Sequence, residues 1–86
     1  MKDYVKARKR IEVSVGDSVK IIRELQGLSQ NGLAELTDIS QSTISAIEHG
    51  RTKLGAERAK IFARALKCHP AVLLFPGWSV EEESAA

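Results

Sequence analysis

Residues 29–50 read Ser29-Gln30-Asn31-Gly32-Leu33-Ala34-Glu35-Leu36-Thr37-Asp38-Ile39-Ser40-Gln41-Ser42-Thr43-Ile44-Ser45-Ala46-Ile47-Glu48-His49-Gly50, and the rest of the chain is organised around them. Two short amphipathic patterns lie in this stretch, each introduced by a serine. Leu33, Ala34 and Leu36 share one face after Ser29, and Ile44 and Ile47 share one face after Ser40. A hydroxyl at the N-cap satisfies an orphan amide of the first turn, so each serine marks a helix start. Only Thr37, Asp38 and Ile39 separate the patterns. So short a connection makes the two helices cross steeply, as in a helix-turn-helix.

The segments Leu28-Ser29-Gln30, Leu33-Ala34 and Ile39-Ser40-Gln41-Ser42-Thr43-Ile44-Ser45-Ala46-Ile47-Glu48-His49-Gly50 resemble the Cro/repressor type of helix-turn-helix domain, the XRE family. The likeness runs from about Val15 to Phe75. It implies an all-α, five-helix, lambda-repressor-like DNA-binding domain. Phage repressors, restriction-modification controllers and antitoxins of toxin–antitoxin pairs belong to that family. Gly32 and Asp38 depart from its pattern, which favours a glutamate-like residue at the first place and glycine at the second. Glycine costs about 1 kcal/mol inside a helix. Aspartate enters the left-handed region more easily than most residues, so the turn survives.

Outward from this core, the spacing predicts a first helix over about 15–26. It is capped by Ser14 with Asp17 three residues on, the arrangement of a capping box. Val19, Ile22 and Leu25 or Gln26 are expected to line its inner side, with Lys20, Arg23 and Glu24 in water and Gly27 as the left-handed stop. The second and third helices are expected over 30–36 and 41–48. A fourth, over 56–66, carries Ala59, Phe62, Ala63 and Leu66 at helical spacing. Pro70 suits the first position of a short fifth helix ending near Phe75. Ile11, Val13 and Val15 alternate with polar residues, the period of a short strand.

Eighty-six residues make one small domain, and 43% hydrophobic with 28% charged is an ordinary globular composition. No apolar run reaches the 18 or so residues of a membrane span, and no signal-peptide core is evident. One cysteine, Cys68, cannot form an internal disulfide, which fits a cytoplasmic protein. Three segments are expected: a basic arm over 1–13, the DNA-binding domain over 14–78 and an acidic tail over 79–86. In the first ten residues Lys2, Lys6, Arg8, Lys9 and Arg10 stand against Asp3, a net charge of +4. In the last ten, Glu81, Glu82 and Glu83 have no base beside them. Beside a DNA-reading helix, Lys6, Arg8, Lys9 and Arg10 are candidate phosphate contacts.

With Ile44 and Ile47 inward, the opposite face of the third helix offers Gln41, Ser42, Ser45 and His49. A helix of this width fits the major groove. Gln41, Ser42 and Ser45 are the candidate base readers, since an amide can pair with adenine by two bonds and a hydroxyl can donate or accept. Thr43 and His49 suit mixed contacts, and Arg51, Thr52 and Lys53 the DNA backbone. The family resemblance adds Gln30 as a backbone contact. The apolar stretch from Pro70 to Trp78 exceeds what one short helix hides, so Val72, Leu73, Phe75 and Trp78 are candidates for a homodimer interface. Cys68, His69 and His49 match no zinc spacing, and no phosphate loop, nucleophile pair or small-molecule domain is apparent. The expectation is a non-enzymatic regulator without cofactor or metal, a repressor that binds double-stranded DNA as a homodimer. The alternative is an antitoxin that neutralises a toxin protein and regulates its own operon.

Overall fold

The computed structural model describes residues 13–76, and among these the regular structure is entirely helical. The helices are α1 (Val15–Leu25), α2 (Gln30–Thr37), α3 (Gln41–Glu48), α4 (Ala56–Leu66) and α5 (Pro70–Leu74). No strand forms over the described part of the 11–15 alternation. Val15 is instead the first residue of α1, because Ser14 caps it. The Ser14 hydroxyl accepts from the Asp17 amide at 3.0 Å, and the Asp17 carboxylate accepts from the Ser14 amide at 3.4 Å. Ser29 and Ser40 cap α2 and α3 in the same way, accepting from the Gly32 and Thr43 amides.

Each helix ends where the backbone leaves the helical region. Gly27 (φ 75°) follows α1, and Asp38 (φ 64°) closes α2 in the left-handed conformation expected of it. The turn after α2 is held by Thr37, whose hydroxyl donates to the Leu33 carbonyl at 2.8 Å and accepts from the Ile39 amide at 3.2 Å. Those two bonds lock the short connection that sets α2 across α3.

Val19, Leu33, Ile44, Ile47, Leu54, Ala59, Phe62, Ala63, Leu66 and Leu73 form one core. Every helix contributes to it, and Phe62 is its largest fully buried member. Burying such a side chain is worth roughly 1.5–3 kcal/mol, so the core rather than helix propensity holds these short helices. Two close ties complete it. The Ser18 hydroxyl lies 3.1 Å from the carbonyl oxygens of both Val15 and Leu73, joining α1 to α5. Gly16 sits so near the end of α3 that a Cβ there would come within 2.6 Å of the Glu48 carbonyl oxygen and closer still to that of Ile47.

Three expectations about facing are corrected. Leu25 and Gln26, the alternatives for the inner side of α1, are both exposed, Leu25 by 76%, because the helix stops there and the chain turns away. Leu36 is 60% exposed, and Thr37, one residue on, takes the inward place on α2. Arg23, expected in water, is buried against α3.

Candidate nucleic-acid interface

α3 divides its residues cleanly. Ile44 and Ile47 enter the core, while Gln41, Ser42 and His49 are exposed. Thr43 and Ser45 are half-buried. The Ser40 hydroxyl donates to the Thr43 hydroxyl at 2.9 Å and lies 3.3 Å from that of Ser42, so the first turn of α3 is a small hydroxyl cluster. At the other end, His49 caps the helix with Nδ1 2.8 Å from the Ser45 carbonyl oxygen. A carbonyl only accepts, so this nitrogen carries the proton and leaves Nε2 facing outward.

Beneath this face lies an ion pair that the sequence reading did not anticipate. The Arg23 Nε and Nη2 donate to the two Glu48 carboxylate oxygens at 2.7 and 3.0 Å, and Nη1 donates to the Leu28 carbonyl at 2.8 Å. The Glu48 side chain is 2% exposed. Its burial pushes the carboxyl pKa up, but hydrogen bonds from Arg23 and Gln30 and the charges of Arg23 and Lys20 outweigh that, and the net direction is down. The hydrogen bond to Glu48 likewise raises the Arg23 pKa against desolvation. The pair is therefore charged on both sides.

The pair extends to the surface. Gln30, at the start of α2, donates from Nε2 to Glu48 Oε1 at 2.9 Å. Gln41, at the start of α3, donates from Nε2 to Gln30 Oε1 at 2.6 Å. A continuous chain of hydrogen bonds thus runs from Arg23 through Glu48 and Gln30 to the exposed Gln41. It brings the N-terminal ends of α2 and α3 side by side, where helix amides and the macrodipole favour negative charge. Arg51, Thr52 and Lys53 follow α3 as an exposed segment, giving two cations near its far end.

The remaining candidates are distributed differently. Lys6, Arg8, Lys9, Arg10 and Trp78 lie outside the described residues. Leu73 is a correction to the interface set. Its side chain is fully buried beside the Ser18 tie, so it belongs to the core and presents nothing to a partner. Val72 (44% exposed) and Phe75 (63% exposed) do reach the surface, and with Ala71 and Pro76 they line an open apolar hollow. His69 is occupied in capping α5, accepting from the Ala71 amide at 3.0 Å. Cys68 is a free, half-buried thiol whose pKa is pushed up by burial. No group of three potential metal ligands occurs among the described residues.

The helix-turn-helix family model matches residues 19–73, spanning all of α2, α3 and α4 and every core residue from Val19 to Leu73. Among solved structures, the chain is similar to the P22 c2 repressor protein in complex with a synthetic operator. That likeness has a TM-score of 0.67 and 26% sequence identity, and it covers 72% of this chain and 94% of that one. No curated protein matches the sequence.

Proposed function

Because the chain belongs to the XRE-type helix-turn-helix family of DNA-binding transcriptional regulators, we propose that it is a repressor that binds a palindromic operator as a homodimer. The observation that carries this reading is the Gln30–Gln41 contact at 2.6 Å. It fixes an amide at the tip of α3, where the N-terminal residues of a recognition helix meet base edges. In this reading α3 lies in the major groove and Gln41 pairs with adenine. Ser42 and Ser45 contribute more permissive contacts, and His49 and Thr43 flank them. Gln30, Arg51, Thr52 and Lys53 hold phosphates, and the +4 charge of the first ten residues adds to that attraction. The operator complex of the P22 c2 repressor supports the same docking for a chain that shares its fold.

A dimer would set two half-sites about 34 Å apart on one face of the duplex, so its operator would be an approximate palindrome. Of the interface candidates among the described residues, Val72 and Phe75 are the ones that reach the surface.

The test compares two variants on operator and random DNA. Gln41→Ala is expected to weaken operator binding about tenfold or more per half-site and leave non-specific affinity nearly unchanged, since a two-bond base contact is worth about 1–3 kcal/mol. Lys53→Ala is expected to lower both affinities and reduce the salt slope by about one unit. Full discrimination in the Gln41 variant would move base reading to another surface.

A further inference from the structure

Resting on the reading that Gln41 meets a base, we propose that Glu48, though buried beneath the surface, determines which base Gln41 accepts by fixing the direction of its amide. A carboxylate can only accept hydrogen bonds. The Glu48 oxygens already hold two Arg23 donors, and the third donor, at 2.9 Å, is Gln30 Nε2. Gln30 therefore turns its NH2 inward and its oxygen outward. That oxygen in turn can only accept, so Gln41 must offer it an N–H, as the 2.6 Å contact records. What remains on Gln41 is one N–H beside one carbonyl oxygen.

That remainder has a defined complement. The major-groove edge of adenine presents an acceptor at N7 and a donor at N6, whereas guanine presents two acceptors, N7 and O6. A donor–acceptor amide fits adenine and sets its oxygen against the O6 of guanine. Were the amide reversed, both N–H groups would face outward and guanine would be the better match. The direction is therefore a switch of specificity, and a charged pair fixes it. A neutral amide in place of Glu48 could satisfy Gln30 in either sense. No buried side-chain polar atom among the described residues lacks a partner, so no loose end competes for the orientation of this chain. Glu48 is a positioning residue, since it acts through Gln30 and touches no base.

The experiment measures the adenine-to-guanine preference at the base pair whose readout Gln41→Ala abolishes, using operator duplexes that differ only there. Two variants of the full chain are compared with the parent, whose preference for adenine is expected to be about tenfold or more. Glu48→Gln gives the buried position a donor as well as an acceptor and should bring the preference to within a few-fold of unity. Gln30→Lys leaves the core pair intact, still donates to Glu48 and offers a donor to Gln41 as well. It should reverse the preference towards guanine, whatever its extra charge does to overall affinity. Should Glu48→Gln fail to fold by circular dichroism, the Gln30 variant decides alone. A folded Glu48→Gln protein with parental preference overturns the inference, and so does an unreversed preference in Gln30→Lys. If Gln41→Ala relaxes no position at all, the recognition reading falls first and this inference with it.

Discussion

Arg23 and Glu48 stand 25 residues apart in the chain and meet in a two-bond ion pair at 2.7 and 3.0 Å between α1 and α3. Taking two charges out of water costs several kcal/mol for each ion, so such a pair persists only when both sides are fully bonded. Here every guanidinium nitrogen and both carboxylate oxygens have a partner: Arg23 Nη1 donates to the Leu28 carbonyl, and Glu48 also accepts from Gln30. Removing one partner strands the other. Arg23→Ala or Glu48→Ala is expected to cost about 3–5 kcal/mol by urea denaturation. The double change Arg23→Met/Glu48→Leu should cost much less than the sum of the single losses. Additive losses would mean that the pair is not coupled.

The same carboxylate gives an acid signature. Its folded pKa lies below the unfolded value of about 4.3, so its contribution to stability is fully present above that value. That contribution is lost as pH falls through the lower, folded value. The urea midpoint is therefore expected to hold from pH 7 to about 5 and to drop below 4. The drop should be shallower in Arg23→Met/Glu48→Leu, and identical acid limbs would assign it to other carboxylates.

Much of this architecture is legible in the sequence, and the parts that are not share a cause. The serine caps, the Asp38 turn and the bounds of α4 follow from local chemistry and period, which a single strand of text contains. Arg23 does not. A charged residue on the polar arc of a helix reads as solvated until its partner is known, and that partner lies on another helix. Leu25 and Leu36 err in the other direction, since an apolar residue at a helix end has the right period and no surface left to cover. At the candidate interface, the exposure of Gln41, Ser42 and His49 follows from the period of α3. The hydrogen bonds that orient Gln41 are tertiary and could not be read.

Gly16 carries no sequence signal either, yet it is among the least replaceable positions. Backbone carbonyl oxygens of Ile47 and Glu48 occupy the space a Cβ would need. Gly16→Ala is expected to destabilise by about 1–3 kcal/mol or more, since backbone must shift. Gly55→Ala, with open space around it, should cost under about 1 kcal/mol at its N-cap position. Thermal melts of the two variants compare them directly, and equal losses would contradict the close approach.

The exposed side of α5 can be tested without touching the core. Val72→Glu is expected to give a folded monomer with much weaker operator binding if Val72 lies in the dimer contact. Leu73→Glu would instead unfold the chain, because Leu73 is fully buried. Sedimentation of the Val72 variant as an intact dimer would place the contact elsewhere.

The split of α3 into an inner row and an outer row has a consequence for how such a protein can diverge. Ile44, Ile47 and Glu48 answer to the fold, while the exposed Ser42 and His49 are tied to it only by local contacts, to the Ser40 hydroxyl and the Ser45 carbonyl. A lineage can therefore rewrite positions 42 and 49 at little cost in stability, drifting from one target to another. Position 41 has no such freedom. Its amide is committed to a neighbour on another helix, so a new residue there succeeds only with a matching change at position 30. Paralogues of this chain should accordingly vary singly at 42 and 49 and in pairs at 30 and 41.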